Sequence, residues 1–226
     1  MFFLLKNHTF YLRIRIFFRT FAPQMKLPEM RYEPDDIAQA LETLRQGGII
    51  VYPTDTVWGI GCDATNAEAV QRIYQLKQRE DSKSMLVLLD APGKLQGYVQ
   101  EVPEIAWDLL QATDHDEEAP QRPLTIIYPG AKNLAENLVA EDGSIGIRIT
   151  SEPFSQALCQ RLKRPIVSTS ANISGQPAAR FYDEIDPAIL TGADYVCRFR
   201  RDDQTPHEPS SITKLGQDGT FQIIRP

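Results

Sequence analysis

I-I-V-Y-P-T-D-T-V-W-G-I-G-C, Ile49 to Cys62, is the stretch on which the fold turns. Ile49 to Tyr52 reads as a short buried strand. It exits into Pro53-Thr54-Asp55-Thr56, and Gly59 and Gly61 follow. Hydroxyls and small residues at a strand end can hold a small ligand while the backbone comes close to it. A polar turn without function is the plain alternative for such a segment.

Outward from this stretch, apolar runs alternate with amphipathic ones, the pattern of an α/β domain. Upstream, Pro34 to Arg45 predicts a helix: Ile37, Leu41 and Leu44 share a face, Pro34 suits the first turn and Gly47-Gly48 ends it. Downstream, Asn66 can cap a helix whose inner face is Ala69, Ile73 and Leu76. Met85 to Leu89 is expected as a strand, Val102 to Leu110 as a helix and Asp114 to Glu118 as a solvated loop. Leu124 to Tyr128 and Ile145 to Ile149 read as strands, and Glu152 to Leu162 as a helix with Pro153 in its first turn. Pro165 to Ser168 is a short strand running into a polar loop. Tyr195 to Phe199, Ser211 to Leu215 and Phe221 to Ile224 look like three more strands. The expected fold is a mixed sheet with helices around it.

Composition narrows the function classes. With 226 residues the chain suits one large domain, or one domain plus extensions, and 42% hydrophobic with 24% charged residues is ordinary for a soluble globular protein. A net charge of -6 does not advertise nucleic-acid binding, although a basic groove can sit inside an acidic protein. Cys62, Cys159 and Cys197 form no CxxC pair and no disulfide framework, which suits reduced thiols in a cytoplasmic protein. His8, His115 and His207 are scattered without metal-ligand spacing, and no apolar run approaches the length that spans a bilayer. Met1 to Gln24 carries Lys6, Arg13, Arg15 and Arg19, no acid and many apolar residues. A transit peptide and a start placed too early both fit this pattern. The short apolar run Phe2 to Leu5, with no small-residue cleavage site after it, disfavours a secretory signal. Domain patterning begins just after Met30, which favours a start at Met25 or Met30. It divides the chain into an N-terminal extension, residues 1–30, and a domain, residues 31–226.

Three further polar segments sit at the edges of apolar elements. K-Q-R-E-D-S-K, Lys77 to Lys83, places three cations at a helix end before a strand. Arginine forks and lysine charges suit phosphate oxygens, while complementing the helix dipole is the alternative. In the strand Ile145 to Ile149, following Ser144, Arg148 points to the face opposite Ile147 and Ile149. There it can hold a carboxylate bidentately, or form a surface ion pair. S-T-S-A-N-I-S-G-Q-P, Ser168 to Pro177, carries more hydroxyls than a turn needs and suits reading ligand oxygens by neutral donors. There is no P-loop, no G-x-G-x-x-G turn and no Ser-His-Asp set.

In this order the segments resemble the YrdC-like family, the threonylcarbamoyl-adenylate synthases, in its short single-domain form. The resemblance runs from about Pro34 to Arg225 and is carried most specifically by Y-P-T-D-T-V-W-G-I-G, K-Q-R and S-A-N-I-S-G. R-P-L-T (Arg122 to Thr125), I-G-I-R (Ile145 to Arg148), P-S-S-I (Pro209 to Ile212) and the closing I-I-R (Ile223 to Arg225) support it. It implies a twisted mixed sheet, parallel and antiparallel, with flanking helices and a basic groove. It also implies L-threonylcarbamoyladenylate synthesis from L-threonine, bicarbonate and ATP with Mg2+, for threonylcarbamoyladenosine modification of tRNA. Lys77 and Arg79 would be catalytic and, with Lys83, Ser144, Ser170, Asn172 and Arg225, would bind ATP. Thr56, Arg148, Ser168 and Ser210 would surround threonine. Downstream partners would be the transferase machinery that modifies tRNA, with tRNA or double-stranded RNA as a direct partner to be tested. The sequence departs from the common pattern at Lys83, where many members have asparagine, at Leu88, where many have histidine, and at Ala178, where a nucleotide-binding serine is frequent. Two other functions compete. An RNA-binding translation accessory of the same fold without synthesis is one, and the acidic balance disfavours it. A carbamoyl-adenylate domain of a hydrogenase maturation protein is the other, and it needs zinc-binding and catalytic domains for which this chain has no room.

Overall fold

The computed structural model describes residues 32–79, 85–114 and 122–226. The extension expected at residues 1–30, Lys83 and most of the expected 114–118 loop lie outside the described residues.

Helix α1 (Pro34–Arg45) has the expected bounds, with Pro34 in its first turn and Ile37, Ala40, Leu41 and Leu44 buried. Strands β1 (Ile50–Tyr52) and β2 (Gly59–Gly61) pair antiparallel. Helix α2 (Ala67–Lys77) starts where Asn66 accepts a hydrogen bond from the Ala69 N–H at 3.1 Å. Strand β3 (Leu86–Leu89) precedes α3 (Glu104–Asp114), then β4 (Leu124–Tyr128) and β5 (Ile145–Ile149). Helix α4 (Pro153–Leu162) is capped by Glu152, which accepts from the Ser155 N–H at 2.7 Å. Then come β6 (Ile166–Ser170), the short α5 (Pro187–Gly192), β7 (Tyr195–Val196), β8 (Ser211–Leu215) and β9 (Phe221–Arg225).

The strands form one mixed sheet in the order β7-β1-β2-β6-β3-β5-β4-β8-β9. The pairs β1–β7, β3–β5 and β4–β8 are parallel, and the others are antiparallel. Alternation along each strand divides the side chains between two faces. One face carries Ile60, Val87, Ile126, Ile147 and Val167, and packs against Val70, Ile73, Ala106 and Ile189 from α2, α3 and α5. On the other, Ile50, Tyr52, Leu88 and Ile166 pack against α1 and α4 through Ile37, Leu44, Phe154 and Leu158. These two helices cover only part of that face.

Four departures from the sequence reading have a local reason. The segment after Tyr52 is not turn throughout, because Gly59–Gly61 returns as β2. A Cβ on Gly61 would lie 2.2 Å from the Val167 carbonyl oxygen and 2.9 Å from the Tyr52 ring, so glycine alone allows that close pairing. Helix α3 starts at Glu104 rather than Val102, directly after Pro103, which lacks the N–H a helix interior needs. Strand β6 extends to Ser170, so Ser168, Thr169 and Ser170 lie on a strand rather than in a loop. The strand expected over Tyr195 to Phe199 stops at Val196. Beyond it the buried Asp36 carboxylate of α1 accepts the N–H groups of Arg198 and Phe199, at 3.0 and 2.8 Å, and thereby removes them from the ladder.

Candidate functional site

Residues opposite one another on neighbouring strands project to the same side of a sheet. The register therefore predicts which side chains meet. Gly59 faces Ser170, Ser168 faces Leu86, Arg148 faces Thr125, Thr125 faces Ile212, and Ile212 faces Arg225. All of these border one cavity of about 790 Å3 on the face that α1 and α4 leave bare. That volume lies within the ~300–1,000 Å3 range of small-molecule and cofactor sites. Gly146 sits on the floor beside Leu86, where a side chain would fill the space a ligand needs.

Of the residues singled out from the sequence, Thr56, Arg79, Ser144, Arg148, Ser168, Ser170, Ser210 and Arg225 line this cavity. Among the described residues four cations border it (Arg79, Arg148, Lys214 and Arg225) against two carboxylates, Glu141 and Asp142. Burial lowers the Arg79 pKa. Burial does the same at Arg225, helped by the nearby charges of Arg122 and Arg148. Crowded cations of this kind favour an anionic occupant.

Arg148 stands on β5 with its side chain 4% exposed. Its Nη2 lies 3.0 Å from Asp55 Oδ1 and 3.5 Å from Thr56 Oγ1, while its Nε has no hydrogen-bond partner among the described residues. Thr54 organises the turn below: its Oγ1 accepts from the Thr56 N–H at 3.1 Å and donates to the Val57 carbonyl at 2.7 Å. On the neighbouring β4, where Thr125 faces Arg148, the Thr125 and Ser210 hydroxyls are 2.8 Å apart, and Arg225 Nε donates to the Ser210 carbonyl at 2.7 Å. Asp142 at the rim accepts from the Ser144 N–H and from Lys214 Nζ, at 3.0 and 2.7 Å. These contacts hold its carboxyl down near a pKa of about 2.

Lys77 and Asn172 stand apart from the cavity wall. Lys77, the last residue of α2, is buried behind the loop that follows β6. Its ammonium donates to the Ser170 carbonyl and, at 2.7 Å, to the Asn172 carbonyl. The Asn172 amide donates in turn to the carbonyls of Ile173 and Gln176, at 3.0 and 2.7 Å. The structure thus joins the K-x-R and S-A-N segments through Lys77 itself, with Arg79 as the member of the run that reaches the cavity. Burial, with the charge of Arg79, lowers the Lys77 pKa to about 7.

Sequence reasoning assigned no role to Asp55, Thr125, Asp142 or Lys214. Asp55 and Thr125 lay within quoted motifs, but their significance comes from pairing with Arg148 and Ser210 across strands, which one sequence does not display. His207 bonds Arg200 rather than the cavity. All three cysteines are buried, with burial raising each thiol pKa, and none lines the cavity. Among the described residues no cluster of three or more His, Cys, Asp or Glu side chains is placed to hold a metal ion. None of the described helices is long and apolar enough to cross a membrane.

Comparisons with known proteins agree with this geometry. A threonylcarbamoyl-AMP synthase of Pseudomonas aeruginosa is 38% identical over 195 residues, covering 83% of this chain and 95% of the relative. One of Stenotrophomonas maltophilia is 36% identical over 159 residues, 67% of this chain and 79% of the relative. Among solved structures, E. coli YciO superposes with a TM-score of 0.71 at 27% identity, over 86% of this chain and 91% of its own. P. abyssi Sua5 complexed with L-threonine does so with a TM-score of 0.68 over 79% of this chain and 50% of its own, and at 22% identity it bears on the fold alone. The family model for Sua5, YciO and YrdC, described as telomere recombination, matches residues 42–226. With the family's segments gathered on one sheet face and its model spanning nearly the whole described domain, the chain belongs to the Sua5/YciO/YrdC family.

Proposed function

We propose that the protein is an L-threonylcarbamoyladenylate synthase, converting L-threonine, bicarbonate and ATP to threonylcarbamoyl-AMP and pyrophosphate. The observation that carries this reading is the cavity's composition. Arg148, buried and with an Nε that has no partner among the described residues, borders the cavity together with further cations and neutral hydroxyls. The relatives named for this activity, 34–39% identical, support it over an RNA-binding accessory without synthesis.

Arg148, with Thr56, Ser168 and Ser210, would hold threonine, its guanidinium on the carboxylate. Arg79, Ser144, Ser170 and Arg225 would serve ATP, joined by Lys83 from outside the described residues. Lys77 and Asn172 would act from behind, holding Ser170 and its loop in place. Magnesium would arrive as the counter-ion of the ATP substrate. Threonine's amine and bicarbonate condense to a carbamate with loss of water. A carbamate oxygen then attacks the α-phosphorus, a C–O–P bond forms, and the bond to pyrophosphate breaks. Both reactants are anions, so the task of the chain is to offset their repulsion and align them. No covalent enzyme intermediate is required, which fits thiols that are buried and protonated. The product would pass to the transferase machinery that modifies an adenosine of tRNA.

The test is pyrophosphate release in the presence of ATP, magnesium and bicarbonate. Release should depend on threonine and be weaker with serine, since one methyl gives roughly 1–3 kcal/mol of discrimination. Equal release with serine, or none with any amino acid, would remove the substrate assignment.

A further inference from the structure

Asp55 does not border the cavity, yet its carboxylate lies 3.0 Å from Arg148, which does. The pair is almost wholly enclosed, with side-chain exposures of 7% for Asp55 and 4% for Arg148. Its geometry is not that of a satisfied structural ion pair. Among the described residues neither Asp55 oxygen makes a well-directed hydrogen bond, and Arg148 Nε has no partner. Buried ionic groups left partly unsatisfied cost stability, so this pair is a poor device for holding the fold together. The turn that presents Asp55 is nevertheless firmly built: Thr54 bonds both Thr56 N–H and Val57 carbonyl, and Arg200 Nη1 donates to the Thr54 carbonyl at 3.0 Å. The carboxylate is held rigidly at a position where it satisfies little.

We propose that Asp55 is a positioning residue for amino-acid recognition: it anchors one guanidinium nitrogen of Arg148, so that the remaining N–H groups are presented as a preset fork to a ligand carboxylate. The proposal rests on the reading of Arg148 as the residue that holds the threonine carboxylate. An arginine side chain has several soft torsions, and a fork held by a single charged contact loses less freedom when the ligand binds. Thr56 Oγ1, 3.5 Å from the same Nη2, limits rotation from the neighbouring side. The strand beneath is equally fixed, because β5 is paired on both edges, by β3 and β4.

The experiment is steady-state kinetics of the full chain, varying threonine and ATP separately, with thermal melts of each variant. Asp55→Asn should raise the KM for threonine roughly tenfold, the scale of one weakened charged hydrogen bond, and leave the KM for ATP within about twofold. Asp55→Glu keeps the charge but displaces it by one methylene, and should raise the threonine KM by a smaller factor. It serves as the informative variant if the asparagine form does not fold. In an Arg148→Ala background, Asp55→Ala should cause no further loss of threonine affinity, because the residue acts through the arginine. An unchanged threonine KM in both single variants, equal rises in both KM values, or additive losses in the double variant would overturn the proposal. Wild-type protein that releases no threonine-dependent pyrophosphate would instead overturn the underlying substrate reading, so the two failures are distinguishable.

Discussion

Replacing Arg148 by lysine keeps the charge and removes the fork. Among the described residues, the guanidinium has Nη2 engaged with Asp55 at 3.0 Å and an Nε without a partner. A lysine ammonium, which ends one bond short of an arginine Nη, keeps a positive charge beside Asp55 but cannot offer two coplanar N–H groups to a carboxylate. The buried Asp55 therefore stays compensated, and the fold should lose little. Arg148→Met, by contrast, strands that carboxylate and should destabilise the protein by about 3–5 kcal/mol. The loss in Arg148→Lys falls on binding: one charged hydrogen bond is worth about 1.5–3 kcal/mol, which is roughly a ten- to hundredfold rise in the KM for threonine. Threonine-dependent kinetics, beside calorimetric titration with a non-hydrolysable ATP analogue, separates the two substrates. If Arg148→Lys loses nucleotide affinity while threonine kinetics stay normal, Arg148 belongs to the phosphate end and the orientation of the site is reversed.

Arg79, in the middle of the cationic run, borders the cavity, and Arg79→Ala should weaken ATP use about ten- to a hundredfold while leaving the Tm of the unliganded protein nearly unchanged. Near-normal turnover would make it a helix-end charge. Lys77 gives a pH signature. Burial lowers its pKa from 10.5 to about 7, so between these values the folded protein binds fewer protons than the unfolded chain. Stability from this group should therefore rise as pH goes up from about 7 toward 10.5. Urea denaturation of wild type and Lys77→Met at several pH values should show a difference that shifts in favour of wild type as pH rises, and a flat difference would contradict this assignment.

Much of the fold was legible because helix signals are local. Pro34 and the Ile37/Leu41/Leu44 stripe gave α1 its observed bounds, and Asn66 caps α2 as its side chain suggests. What failed was set by distant partners. β2 was hidden because its glycines look like turn residues until Tyr52 and Val167 are seen against them. The truncation of β7 depends on Asp36, whose carboxylate reaches across from α1. The site shows the same division. Residue types announced themselves as hydroxyls after strands and cations at a helix end, and most of them border one cavity. Whether a lysine in K-Q-R faces the cavity or the loop behind it is decided by the left-handed turn at Gln78, with φ of 51°, and by the carbonyls of Ser170 and Asn172. Nothing in the motif itself distinguishes Lys77 from Arg79 in that respect.

The central claim, that this cavity joins a threonine-derived carbamate to the adenylate of ATP, is most directly tested by product analysis. Purified protein incubated with ATP, magnesium, L-threonine and carbon-13 bicarbonate should yield an adenylate whose mass equals that of threonylcarbamoyl-AMP plus one heavy carbon, in step with pyrophosphate. Pyrophosphate released without label in the adenylate, or no adenylate beyond AMP in the presence of all four components, would contradict it.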